Sequence, residues 1–334
     1  MYSSSGRNNK LRFYFSGLVK ELLPDAFFRF RLDGLLSQLE RLEDKVFMDR
    51  LHHYNKLKPQ AQLAASAPCL SQMKLPKRGR VYYLDARETA RYFPPDFQAS
   101  YLFGDNTTSP EYPALTKSRP IRQDNQNAVL MKFNKVRHFA FVKDAIAFHQ
   151  KADRLIGMAE VKQSNRRSFY TKYFGHPKMD LGQINTGSAH DQWYRPKISI
   201  PDHLRYKYIL CLEGYDVASN LKWVMSSGSL AVMPPPSFET WFMEAKLIPD
   251  KHYVSIKPDF SDVEERMDYF SSHPEHAKEI IHHANTWVKQ FQDTHYEFLL
   301  ELAVMIKYFL CTGQDDRFRK VSGTLLSDLL HSRS

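Results

Sequence analysis

The stretch KYILCLEGYDVASNLKWVMSSGSLAVMPPPSFETWFME, residues 207–244, decides the fold class. Tyr208 to Leu212 is an apolar run of strand length that breaks at Glu213-Gly214. Asp216 stands as N-cap of a helix in which Val217, Leu221, Val224 and Met225 recur at helical spacing, and Gly228 stops it. Ser229 to Met233 reads as a second buried strand, ended by Pro234-Pro235-Pro236, which donate no backbone hydrogen bonds. Strand, glycine turn, helix, strand is the unit of an open parallel α/β sheet. In such a sheet the turn and the helix N-terminus lie at a carboxyl strand end, where unsatisfied N–H groups favour an anion such as a diphosphate. The spacing by itself is shared with α/β proteins that bind nothing at this turn.

Outward from this stretch, Arg154 to Met158 reads as a strand and Arg166 to Phe174 as a basic helix. On the other side, Tyr253 to Ile256 reads as a strand and Ser261 to Phe270 as a helix with a Ser261–Glu264 capping box. Helices over Glu275 to Phe291 and Tyr296 to Leu310 follow, and a polar tail begins at Gly313. In the first half, Asp33 to Tyr54 has one apolar helical face. Val81 to Leu84 and Ser100 to Phe103 flank a helix at Arg87 to Tyr92 as a βαβ unit. Ala128 to Val142 fits a helix edge or a strand pair equally well. Leu11 to Leu32 mixes aromatic with basic residues, which suits either a helix at a membrane interface or helices packed on the domain, with Pro24 interrupting the period.

A chain of 334 residues, 43% hydrophobic and 25% charged, is globular and long enough for two domains. The polar segment 150–153 divides them, giving domains at 1–150 and 151–291, a terminal helix at 292–312 and a tail at 313–334. No apolar run reaches the ~20 residues that span a bilayer, and the N-terminus has no signal-peptide pattern, which predicts a cytoplasmic protein. Cys69, Cys211 and Cys311 lack paired spacing, so neither a disulfide framework nor a zinc site is expected. His273, His276, His282 and His283 lie in or beside a charged helix without an acidic partner set, and read as solvated. The net charge of +10 is concentrated: residues 117–178 hold fourteen Lys or Arg against four Asp or Glu, a surplus of ten. Such a segment needs an anionic partner. No nucleic-acid-binding motif is present, which leaves a phosphorylated small molecule or an anionic lipid surface ahead of nucleic acid.

KYILCLEGYDVASNLKW, SSGSLAVM, ETWFMEAKLIP and HYVSIKPDFSDV, in this order, resemble the core of glycosyltransferase family 90. That family includes the capsule-associated-protein-like and protein O-glucosyltransferase-like enzymes. The resemblance is nearest to the bacterial lipopolysaccharide core branch, and runs from about Leu11 to Phe291 through LRFYFSGLVKELLP, YLFGDNTTSPEYPALTKSRPI and DNQNAVLMKFNKVRHF. It implies a GT-B fold, two Rossmann-like domains facing across a cleft, with one terminal helix crossing back to the first domain. The implied reaction is inverting transfer of a hexose from a nucleotide sugar, a UDP-hexose, to a lipopolysaccharide or lipooligosaccharide core sugar, at the inner face of the cytoplasmic membrane.

No Asp-x-Asp occurs in the sequence, so no metal or other cofactor is expected, and cations and helix N-termini must hold the leaving diphosphate. Arg166 and Arg167 of NRRSF match the family's asparagine-arginine motif, and arginine holds phosphate bidentately. Lys222 matches the lysine of the helix after the glycine turn; a solvated helix face is the plain alternative. Gly157, Gly214, Asp216, Ser219 and Asn220 complete the expected donor site, with Glu239 and Trp241 lining the sugar pocket or simply packing. The family's base corresponds best to Asp105 of GDNTTSPEYP, with Glu111 as alternative because the spacing to Tyr112-Pro113 is stretched. Three departures stand out. Leu155-Ile156-Gly157 replaces Trp-Arg-Gly, while Glu213-Gly214 and Asn220 stand where eukaryotic members carry arginines, the last two being shared with the bacterial branch. Loss of one arginine keeps two other readings open, an interaction protein that has lost transfer and a peripheral membrane-binding module.

Overall fold

The computed structural model describes residues 10–42, 45–187 and 191–314. They form two compact units: the first from residues 10–136, 238–241 and 292–314, the second from residues 137–237 and 242–291. The division therefore falls at Val136/Arg137, ahead of the 150/151 boundary expected from polarity, and residues 238–241 join the first unit.

In the first unit, helices α1 (Lys10–Glu21), α2 (Asp25–Phe30), α3 (Leu32–Glu40), α4 (Lys45–Tyr54) and α5 (Arg80–Ala90) precede a short parallel sheet. Its strands are β1 (Tyr101–Leu102), β2 (Ala114–Thr116) and β4 (Ala128–Leu130), in the order β1-β2-β4. Strand β3 (Ser118–Pro120) pairs antiparallel with β9 (Phe238–Thr240), Arg119 facing Glu239 in the register. Val81 to Leu84 is helical, not a strand. The run is short enough to read either way, but Tyr83, Leu84, Ala86 and Ala90 bury one helical face. The expected helix over Asp33 to Tyr54 is two helices, and Ala128 to Val142 resolves into β4 and a four-residue helix, α6 (Lys135–His138).

The second unit is a five-stranded parallel sheet built from β5 (Ala152–Ala159), β6 (Met179–Gln183), β7 (Tyr206–Leu210), β8 (Leu230–Met233) and β10 (Val254–Ser255). Their order is β10-β8-β7-β5-β6. The chain thus goes from β5 outward to β6, returns to the other side of β5 with β7, and continues through β8 and β10. The carboxyl ends of β5 and β7 mark the point where winding reverses, the usual ligand crevice of such sheets. Leu155, Tyr208, Leu210, Leu230, Val232 and Val254 pack with Phe169, Tyr173, Phe260 and Phe270 into one core. Gly157 on β5 is fixed by that core: a Cβ there would sit 3.0 Å from both Leu181 and Leu210.

Helices of this unit are α7 (Ser164–Tyr173), α8 (Ile200–His203), α9 (Leu221–Met225), α10 (Val263–Ser272) and α11 (Pro274–Lys289), and α12 (Thr294–Cys311) returns to the first unit. Asp216 does not cap α9, which begins only at Leu221 because Gly214 to Asn220 form a longer turn in which the Gly214 N–H donates to the Asp216 carbonyl. The expected capping box also fails. Ser261 donates its hydroxyl to Asp259 instead, and α10 starts after Asp262.

Candidate functional site

The reversal point of the second unit is spanned by one side chain. Arg166, in the first turn of α7, donates from Nη1 to the Glu160 carbonyl (2.9 Å) just past β5. Its Nη2 and Nε donate to the Leu212 (2.8 Å) and Glu213 (3.1 Å) carbonyls just past β7. Asn165 donates a further bond to Glu213 O at 3.1 Å. Gly214 permits this approach, because a Cβ there would lie 3.2 Å from Arg166 Nη2. Asn220 ties the far end of the turn back to the Leu210 carbonyl (2.9 Å), and the Glu213 carboxylate accepts the Ser237 N–H (2.9 Å). The turn is thereby held against both strand ends. Arg167 is exposed and donates to the Lys162 carbonyl, Asp216 is buried and Ser219 half-buried.

Burial lowers the Arg166 guanidinium from its ordinary value, and the like charge of Arg137 acts in the same direction. Arg137 also helps to lower the exposed Glu160 carboxyl, behind the stronger hydrogen bond from Lys162. Arg137 is thus a second cation in the field of this rim, and the sequence reading passed over it. Its signal was there: Arg137 is one of the fourteen basic residues of the segment 117–178.

Lys222 occupies a different environment from an open diphosphate contact. It is fully buried, its ammonium 2.7 Å from Glu244 Oε1 and 5.2 Å from the centre of the Phe242 ring. A buried ammonium already paired with a carboxylate keeps the core neutral, and drawing it out would leave Glu244 charged and unpaired by it. In this structure Lys222 is thus engaged in a buried ion pair with Glu244.

In the first unit Asp105 follows β1 and is exposed, with one carboxylate oxygen on the ammonium of buried Lys117, the residue after β2. Both residues stand at carboxyl ends of neighbouring parallel strands. The Asn106 N–H donates to Ser118 Oγ (3.1 Å), and its side chain to the Leu102 carbonyl (3.0 Å), which fixes the loop. Glu111 is exposed; its backbone carbonyl accepts from Asn127 (2.6 Å).

Glu239 and Trp241 are buried here rather than open. Glu239 accepts from Arg119 Nε (2.8 Å) and lies 2.7 Å from His53 Nε2. Burial alone would raise its carboxyl, but His53 and Arg119 outweigh it and bring the value down to about 2. Trp241 stacks on Tyr54 at 3.8 Å and donates from Nε1 to Glu297 Oε2 (2.7 Å). Of the two readings left open by the sequence, lining or packing, this buried network matches packing, with Glu239 on β9 and Trp241 just after it. Among the described residues no group of three or more His, Cys, Asp or Glu is arranged to hold a metal ion.

Comparison with known proteins bears on this geometry. The profile of "Glycosyl transferase family 90" matches residues 115–308, which take in Lys117, the whole rim and most of α12. The O-glucosyltransferase LpsA of Dichelobacter nodosus is 39% identical over 304 residues, 90% of this chain and 95% of that protein. Uncharacterized protein 027R of Frog virus 3 (isolate Goorha) is 34% identical over 103 residues, 29% of this chain and 10% of that protein. With a family match over more than half of the sequence and a relative of this identity along nearly its whole length, the chain belongs to glycosyltransferase family 90 and is a glycosyltransferase.

Proposed function

We propose that this glycosyltransferase moves a hexose from a nucleotide sugar, a UDP-hexose, to a lipopolysaccharide or lipooligosaccharide core sugar, by inverting, metal-independent chemistry in a GT-B arrangement. The observation that carries the donor assignment is Arg166, which bridges the carboxyl ends of β5 and β7 where the sheet reverses direction. Three of the guanidinium's five donors are used on carbonyls, leaving two for phosphate oxygens. Gly214, Asp216, Ser219 and Asn220 shape the turn, Gly157 lets β5 pack closely beside it, Arg167 adds charge, and Lys222 is held in the buried pair with Glu244. The name of the Dichelobacter nodosus relative, an O-glucosyltransferase, puts UDP-glucose first among donors.

Asp105 is the base of this reading. The acceptor hydroxyl attacks the anomeric carbon as its proton passes to the Asp105 carboxylate, and the sugar–phosphate bond breaks on the opposite face. The nucleoside diphosphate leaves with the bonding pair, its charge met by the Arg166 guanidinium. The Lys117 ammonium orients the Asp105 carboxylate. Transfer to a membrane-bound acceptor implies work at the inner face of the cytoplasmic membrane.

The test is a donor screen with purified protein and truncated lipopolysaccharide acceptors in excess chelator. The reading expects UDP-hexose turnover, with product of inverted anomeric configuration. Strict dependence on manganese or magnesium rejects the metal-free chemistry, and absence of turnover with every nucleotide sugar rejects the donor assignment.

A further inference from the structure

Eight of the eighteen large apolar side chains exposed among the described residues fall within residues 14–30, six on α1 and α2 and two, Leu22 and Leu23, in the link between them. Phe15 (72%), Leu22 (83%) and Phe30 (86%) are the most open, with Leu18, Val19 and Phe27 beside them. Monomeric proteins seldom leave so dense an apolar face in water. The opposite side of α1 is anchored. Gly17 lies against Leu84, where a Cβ would approach to 2.9 Å, and Lys20 pairs with Glu88 at 3.0 Å on α5.

Charge is sorted in the same way. The two acidic residues of these helices, Glu21 and Asp25, are bound inward. Arg87 Nη2 holds Asp25 at 2.8 Å, Arg91 Nη2 holds Glu21 at 3.2 Å, and Tyr83 donates to Glu21 at 3.0 Å. With those negative charges engaged, the basic residues Arg12, Arg29 and Arg31 accompany the apolar face, and Arg31 lies over the Phe27 ring at 5.8 Å. A helix pair with apolar side chains outward, cations beside them and anions turned away is complementary to an anionic lipid surface. Among the described residues no helix is long and apolar enough to cross a membrane. The twelve residues of α1 reach only ~18 Å, against ~30 Å of hydrocarbon, so the helix suits lying in the interface.

We infer that α1 and α2 form a docking surface for an anionic phospholipid bilayer, with Phe15, Leu22 and Phe30 inserting among the headgroups. This gives the proposed membrane location a surface, and it uses none of the residues assigned to the donor rim or the base. The test is co-sedimentation of the full chain with vesicles of phosphatidylethanolamine and phosphatidylglycerol, beside vesicles of phosphatidylcholine alone. The expected result is pelleting with the anionic vesicles that weakens as salt rises. In the triple variant Phe15→Ser, Leu22→Ser, Phe30→Ser, partitioning falls at least tenfold while circular dichroism and donor hydrolysis match the parent. In Arg29→Glu, Arg31→Glu, partitioning falls and its salt dependence flattens. Parent protein that stays in the supernatant with anionic vesicles overturns the inference, as does a triple variant that pellets like the parent. A parent dimer that the triple variant converts to monomer overturns it too, because a second copy then covers the face. Vesicle binding without nucleotide-sugar turnover leaves the docking surface standing and removes the transfer reading instead.

Discussion

In the proposed reading Asp105 and Arg166 have separable duties, and kinetics distinguishes them. A base acts on the attacking hydroxyl, so Asp105→Asn, which keeps the shape of the side chain, should lower turnover about 100-fold while leaving donor affinity nearly unchanged. Arg166→Ala should do the reverse in emphasis. It removes the proposed phosphate contact and three bonds that hold the rim, and donor affinity should weaken by about 1–3 kcal/mol. Calorimetry with the nucleoside diphosphate and single-turnover kinetics separate the two. Near-normal turnover in Asp105→Asn transfers the role to Glu111, to be checked with Glu111→Gln, and unchanged affinity in Arg166→Ala moves the diphosphate elsewhere. At this scale the sequence was uneven as a guide. Arg166 could be picked out because a motif and a basic surplus coincide there. The burial of Lys222 could not, since its partner Glu244 lies twenty-two residues on, beyond any helical or strand period. Nor could Arg119 and Glu239 be paired, which requires knowing that β3 and β9 are neighbours.

Among the elements, α12 was legible because thirteen of its eighteen residues are buried, and a helix apolar nearly all round has to lie in a core. Two of the thirteen are glutamates. Glu297 accepts from Arg50 (2.5 Å), Lys132 (2.7 Å) and Trp241 Nε1 (2.7 Å). Glu301 pairs with Lys135 at 2.8 Å, and its second oxygen has no hydrogen-bond partner among the described residues. Burial raises the Glu301 carboxyl to about 7 in spite of Lys135 and Lys132, and Asp85, fully buried on α5, is raised as well. An acid whose folded value lies above its unfolded one binds more protons when folded, so stability falls as pH climbs from about 4.5 to about 7 and is level above. Glu88, lowered to about 2 by Lys135 and Lys20 against burial, acts below that window. Between pH 5 and 7.5 Glu301 alone should make urea midpoints decline with pH, by up to ~3 kcal/mol, while His252, which burial brings down to about 4, works in the opposite direction below its ordinary value of 6.5. Glu301→Gln should make the decline shallower, and an unchanged slope would place the titration on Asp85 or elsewhere. Short strands were the harder elements. β1, β2 and β4 have two or three residues each, too few for a period, and the helix over Val81 to Leu84 was read as a strand for the same reason.

On the scale of the whole molecule the chain order is not the order of the units. The sheet of the second unit was legible because β7 leads into the Gly214 break and fully buried β8 lies between Gly228 and Pro234, whereas the assignment of residues 238–241 depends on pairing with β3, which no local pattern announces. This interleaving makes a prediction about dependence. A chain ended at Phe291 retains every strand of the second unit together with α7, α10 and α11, so the core around Leu155, Tyr208 and Phe270 is complete. The first unit loses α12 and with it Glu297 and Glu301, which leaves Arg50, Lys132 and Lys135 without those carboxylates in surroundings built to exclude water. Removing one partner of a single buried pair costs about 3–5 kcal/mol, and the apolar contacts of Leu299, Leu302, Ile306 and Phe309 go at the same time. That exceeds the stability of an ordinary domain, about 5–15 kcal/mol, once several pairs are lost together. Limited proteolysis followed by mass spectrometry should then digest residues before Arg137 and leave a resistant fragment from about residue 137 to 291. Parent-like resistance of residues 45–136 in the shortened chain would show that the first unit holds its core without α12.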